Sequence, residues 1–224
     1  MKKYLIHVTL ITILFHSYQF AQDFDKLSKA AADKDIDKIK ELLDGGINVD
    51  VQPEDTSITV LMLACSYPGY EEVVSLLISR GADVNFTGED SKTPLMWAAS
   101  NSYKSTKLLL ENGADVKAKA DDGMTAFIQA TFGVQSKRVT TDVLDLLLKY
   151  GAEINAATTG KNIAGWTALL FATVNGDEEL VDYLLRNGAF VNHTSDEGQS
   201  ALSLARQEKY ESLVKLLIKY GALD

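Results

Sequence analysis

The side chains that could do chemistry in this 224-residue sequence are few and scattered. Cys65 is the one cysteine, and the histidines stand at positions 7, 16 and 193. A nucleophilic thiol needs a base beside it, and a metal needs several ligands at close spacing. Neither Cys65 nor His193 has such a neighbour in sequence, so Cys65 reads as a small buried thiol and His193 as a surface residue. Carboxylates come in pairs, at Glu54-Asp55, Glu89-Asp90, Asp121-Asp122 and Asp196-Glu197. None of these pairs lies in the alternating ligand pattern of a calcium loop. Thr159-Gly160-Lys161 lacks the rest of a phosphate-binding loop, and neither Gly-x-Ser-x-Gly nor His-Glu-x-x-His occurs. The expectation is a non-catalytic chain with no cofactor and no metal.

The acidic pairs fall at regular intervals because the chain repeats itself. One phrase reads Thr59-Val60-Leu61-Met62-Leu63-Ala64-Cys65, and returns at Thr93-Pro94-Leu95-Met96-Trp97-Ala98-Ala99, Thr125–Thr131, Thr167–Thr173 and Ser200–Arg206. A second phrase follows each copy: Gly81-Ala82-Asp83-Val84-Asn85, then its counterparts from Gly113, Gly151, Gly188 and Gly221. The first phrase has the chemistry of a helix start, with a hydroxyl to cap the first turn and, at Pro94, a residue whose missing N–H had no partner there. Its alanines let neighbouring helices approach. The second phrase is a helix stop, since glycine adopts the left-handed capping conformation without penalty. Between them lie apolar residues at helical spacing, such as Leu144, Leu147 and Leu148 or Val181, Leu184 and Leu185. One such unit leaves an apolar face uncovered, and stacking covers it.

These phrases resemble the ankyrin repeat, with its Thr-Pro-Leu-His-x-Ala-Ala helix start and its Gly-Ala-Asp-Val-Asn finger. The resemblance implies an all-α solenoid of about six helix-turn-helix units with hairpin-like fingers, across residues 22–224. The units run about 25–50, 51–85, 86–117, 118–155, 156–192 and 193–224, the first and last acting as caps. Met62, Met96, Ile128, Leu170 and Ser203 stand where the family has histidine. The resemblance further implies protein binding through a concave surface of inner helices and fingers.

Two units depart from the common spacing. From helix-start hydroxyl to glycine the intervals are 22, 20, 26, 21 and 21, so the third holds extra residues within Phe132–Thr141. From glycine to the next start they are 13, 12, 12, 16 and 12, so the finger Ala156–Gly165 is long. Insertions of this kind arise by drift in surface loops or at a binding face. The finger lies on the side such stacks use for partners, whereas the loop between helices lies at their other end. Its tip carries Lys161, where four other tips are acidic. Those acids form either a solvated rim or a comb that attracts a basic partner.

By the same resemblance, Met124 and Trp166 precede a helix start and Phe132, Val174 and Tyr67 follow the alanine pair, positions that face the concave surface. Trp166, Phe132, Met124 and Val174 would make one apolar patch in mid-array, the kind of exposed surface that marks a protein interface. Otherwise Trp166 packs between fingers. Trp97 and Phe171 lie one position inside the phrase and read as core. The expected function is a protein–protein interaction module, probed through Trp166, Phe132, Met124, Val174, Lys161 and Tyr67. An alternative is a periplasmic accessory that stabilises or neutralises one enzyme or toxin.

The formal net charge of −9 argues against nucleic acid or an anionic membrane as partner. Lys2-Lys3, an apolar run from Tyr4 to Phe15 and the small residue Ala21 read as a signal peptide over residues 1–21, cleaved after Ala21. The run is shorter than the ~20 residues of a membrane span. An exported chain, periplasmic or secreted, with an unidentified protein partner and monomeric by itself, is the expectation. An uncleaved N-terminal anchor is the other reading.

Overall fold

The computed structural model describes residues 21–53 and 56–223, so residues 1–20 of the signal-peptide reading and the acidic tip Glu54-Asp55 lie outside the described residues. The described chain is helical, and its only β pairing there is two isolated bridges, Ala157 with Thr167 and Thr194 with Ser200. The first helix, α1, is described over residues 21–32. It is followed by α2 (Ile36–Asp44), α3 (Val60–Cys65), α4 (Glu71–Ser79), α5 (Pro94–Ala99), α6 (Tyr103–Glu111) and α7 (Ala126–Gln135). The second half holds α8 (Asp142–Lys149), α9 (Ala168–Val174), α10 (Glu178–Arg186), α11 (Ala201–Gln207) and α12 (Glu211–Lys219).

The helices lie in two layers. The short inner helices α3, α5, α7, α9 and α11 pack side by side, and the outer helices α2, α4, α6 and α8 form a second row, with α10 on α12. The alanines explain the close inner row. Ala64, Ala98, Ala99, Ala130, Ala172 and Ala205 are all buried, and Cys65 substitutes for one of them with no exposure at all. Leucines of the outer helices, among them Leu77, Leu109, Leu147, Leu184 and Leu217, close the core.

Helix starts follow the expected chemistry in part. Thr59, Thr125 and Ser200 accept a hydrogen bond from the backbone N–H three residues on, at 3.3, 3.2 and 3.1 Å. Thr93 and Thr167 make no such bond, and the buried Thr93 hydroxyl has no hydrogen-bond partner. Helix α5 therefore begins on Pro94 alone. Outer-helix stops are uniform, each followed by a glycine of positive φ. Gly81 has φ +88°, and Ala82 N–H reaches back to the Leu77 carbonyl at 3.1 Å, the double-bonded termination that only a left-handed residue permits cheaply.

Asparagines tie successive units together. Asn85 donates to the Gly113 carbonyl at 3.0 Å and accepts from Asp115 N–H at 2.7 Å. Asn155 does the same to Gly188 and Phe190, and Asn192 to Gly221 and Leu223. At the equivalent place after α6 the residue is Lys117, whose side chain cannot form that pair of bonds. After α2 it is Asp50, which accepts from Asp83 N–H at 3.1 Å but has no amide to donate.

Candidate protein-binding face

The long finger does not project freely. Thr158 N–H bonds to the Trp166 carbonyl at 2.9 Å and Gly165 N–H to the Thr158 carbonyl at 2.8 Å, while the Thr158 hydroxyl also donates to the Ile163 carbonyl. Thr159 and Gly160 N–H both donate to the Asp122 carbonyl, and Asp196 N–H to the Ala164 carbonyl. The finger is thus clamped between its neighbours. His193 joins the clamp, with Nε2 2.7 Å from the Gly165 carbonyl, and is half-buried rather than a free surface residue.

That clamp fixes Trp166. Its ring lies 5.1 Å from that of Phe171 at 44°, and Phe171 in turn lies 5.1 Å from Phe132 at 70°. The three rings run from the finger across α9 to α7. Trp166 and Phe132 are half-buried, while Phe171 keeps only 8% of its surface. Reading Phe171 as core was right about burial, but its ring is also the link between the other two. Val174 ends α9 one turn beyond Phe171 and is half-buried, on the same helix face. Met124, also half-buried, stands before α7 as Trp166 does before α9.

The remaining predicted positions lie apart. Lys161 is exposed at the finger tip, away from the rings' own sequence positions. Tyr67 is 58% exposed and stacks with Tyr70 at 5.8 Å, beside a cleft of about 340 Å³ bounded by Ala31, Ala32 and Leu63. Tyr70 donates its hydroxyl to the Ala32 carbonyl at 3.1 Å, and Lys34 Nζ sits 4.3 Å over its ring. That cleft belongs to the N-terminal end of the stack, two units from Phe132.

The extra residues of the fourth unit do something the sequence does not announce. They lengthen α7 to ten residues and add a turn that folds back toward α5. Gly133 approaches so closely that an added Cβ would lie 2.6 Å from the Ser100 carbonyl oxygen. Arg138 Nη1 then donates to Asn101 Oδ1 at 3.3 Å, and Asn101 Nδ2 donates to the Trp97 carbonyl at 2.8 Å. Lys92, Trp97, Ser100, Asn101, Gln129 and Arg138 surround a cleft of about 190 Å³ between α5 and α7. Trp97 is half-buried here instead of core. A tryptophan paired with a glutamine in the next unit was the available signal, since both occupy the place of Phe171 in the phrase.

The acidic tips are partly engaged within the stack. Asp121 accepts from the Ser91 hydroxyl at 2.5 Å, Asp122 from Met124 N–H at 2.9 Å, and Asp90 lies 3.5 Å from Lys92. Burial pushes the Cys65 thiol far up, away from the reactive thiolate. Among the described residues no group of three or more metal-ligating side chains converges, and no helix is long and apolar enough to cross a membrane.

The family model for ankyrin repeats matches the chain in three overlapping copies, over residues 27–120, 61–158 and 134–223. The chain is 30% identical to the ankyrin repeat protein YahD of Escherichia coli (strain K12), covering 86% of this chain and 94% of that one. It is 32% identical to the fowlpox virus ankyrin repeat protein FPV031 over 71% of its own length and 47% of the viral protein's. It also resembles the palmitoyltransferase AKR1 of Lachancea kluyveri at 26% identity, spanning 28% of that enzyme.

Proposed function

Because this chain belongs to the ankyrin repeat family, we propose that it is a non-catalytic module that binds another protein through its inner-helix and finger face. The observation that carries this reading is the run Trp166–Phe171–Phe132, three rings in contact across two units, with the two outer ones half-buried and open to a partner. Aromatic anchors of this kind supply a disproportionate share of interface energy, often 2 kcal/mol or more each. Val174 and Met124 extend the apolar surface. The acidic residues at the tips, Asp121 and Asp196-Glu197, favour a partner whose surface around the contact is basic.

The test is capture with a C-terminally tagged full chain expressed in its own host, beside a Trp166→Ala, Phe132→Ala variant whose helicity matches. A protein retained by the native chain and lost by the variant supports the reading. One retained equally by both contradicts it.

We read the chain as exported, from the basic start, apolar run and Ala21 of its N-terminal sequence. N-terminal sequencing of the protein from an exported fraction is expected to begin at Gln22. A chain found wholly in the cytoplasm with Met1 or Lys2 first would contradict export.

A further inference from the structure

The cleft between α5 and α7 carries a charge opposite in sign to that of the whole chain. The chain carries −9 overall, yet two of the six residues named around this cleft, Lys92 and Arg138, are cations and none is an acid. Asp90 pairs with Lys92 at 3.5 Å but does not itself line the cleft. Arg138 has no carboxylate within ion-pair distance among the described residues. Its bond from Nη1 to Asn101, itself held to the Trp97 carbonyl, brings the exposed guanidinium to the cleft edge. A guanidinium tethered by one bond and left without a counter-ion is prepared for a carboxylate, because its remaining N–H groups can bind one bidentately and part of the ordering is already made in the fold. The indole of Trp97, the thioether of Met96 and the amide of Gln129 also border the cleft.

We propose that this cleft receives a single acidic side chain, aspartate or glutamate, from an extended segment of the protein partner. The same segment places an apolar side chain on the Trp166–Phe171–Phe132 run. The two subsites share α7: Gln129 borders the cleft and Phe132 lies one turn further along the same face. Neighbouring helices stand about 10 Å apart. At about 3.3 Å per extended residue, the acid and the apolar anchor are about three residues apart. The surrounding acidic tips disfavour a polyanion, so one isolated acid fits and nucleic acid does not.

This inference rests on the binding reading above, and the test separates the two. A random twelve-residue peptide library displayed on phage is selected on the full chain, on Lys92→Gln/Arg138→Gln and on Trp166→Ala/Phe132→Ala. The expected result on the native chain is enrichment of peptides with aspartate or glutamate three or four positions from a large apolar residue. The Lys92→Gln/Arg138→Gln chain should keep the apolar preference and lose the acidic one, and a selected peptide should bind it about tenfold more weakly. The loss should shrink as salt is raised. Helicity and melting temperature confirm that both variants fold, and the single changes Arg138→Gln and Trp166→Ala are the milder substitutes for whichever does not. Enrichment of apolar residues without an acid overturns this inference and leaves the binding face standing. Peptides that bind the Trp166→Ala/Phe132→Ala chain as well as the native one, or no enrichment at all, overturn both.

Discussion

Phe132 on α7 meets Phe171 on α9 edge to face, with ring centroids 5.1 Å apart, so one aromatic contact joins two successive units at the proposed binding face. The two rings play unequal parts. Phe171 is buried and holds the units together, whereas Phe132 keeps surface to offer.

That inequality predicts opposite mutational profiles. Phe171→Ala opens a cavity in a packed row and should cost about 3–5 kcal/mol of stability. Phe132→Ala and Trp166→Ala should cost less than Phe171→Ala and weaken partner capture more than their effect on folding accounts for. Urea denaturation read by circular dichroism, alongside capture, checks both halves. Equal destabilisation by all three would mean that the cluster is packing only.

The asparagine ties predict where the stack is weakest. Asn155→Ala strands the Gly188 carbonyl and the Phe190 N–H, at a cost of about 1–2 kcal/mol at this partly exposed site. Lys117→Asn should stabilise by about 1 kcal/mol, supplying the pair of bonds missing between the third and fourth units. The turn is ready for it, since Lys117 N–H bonds to Asp115 Oδ1 at 2.9 Å as Asn85 N–H does to Asp83. Melting of the two variants against the native chain decides the matter. A Lys117→Asn protein no more stable than the native one would contradict the account.

Asp50 carries a pH signature. Burial, with the neighbouring Asp83 charge adding to it, holds its carboxyl above the usual range despite the bond from Asp83 N–H. The folded state then holds this proton more firmly than the unfolded one. Stability from this group is present below the ordinary carboxylate pKa and is lost as pH rises through the raised folded value. Asp50→Asn keeps the accepted bond, gains an amide to donate as Asn85 does, and should remove that loss. The expected result is a variant more stable than the native chain at neutral pH, with the gap closing in acid. A gap that widens in acid would show the sign to be wrong.

Gly165 predicts how tightly the finger governs Trp166. Its φ is +77° and an added Cβ would lie 2.6 Å from Asp196 N, so Gly165→Ala must push two fingers apart. The variant should lose about 1–3 kcal/mol and shift the tryptophan fluorescence to the red, as Trp166 becomes more exposed. Unchanged fluorescence would mean that the ring holds its place without the clamp.

Much of this architecture is legible in the sequence, because helix starts, glycine stops and alanine rows are local features with local causes. The all-α repeat, the two-layer packing of leucines and the buried Cys65 all follow from them. What is not legible depends on which side chain meets which across units. Thr93 has the hydroxyl of a cap but is seated where the bond is not made, and α5 relies on Pro94. Phe171 looks like core in its own phrase, and only the neighbouring Phe132 and Trp166 reveal its second role. Arg138 sits in an insertion whose length is plain, but its return to Asn101 depends on the close approach of Gly133 to Ser100. His193 reads as a lone surface residue until the preceding finger brings the Gly165 carbonyl to it.

The most direct test of the binding face is site-specific photocrosslinking in the native host. A benzophenone amino acid replaces Val174, at the edge of the aromatic run, or Ile218, 51% exposed on the outer helix α12. The account predicts a discrete crosslinked protein from position 174, absent from position 218 and lost when Phe132→Ala and Trp166→Ala are added. A crosslink from 218 alone, or from both positions and indifferent to the aromatic substitutions, would contradict it.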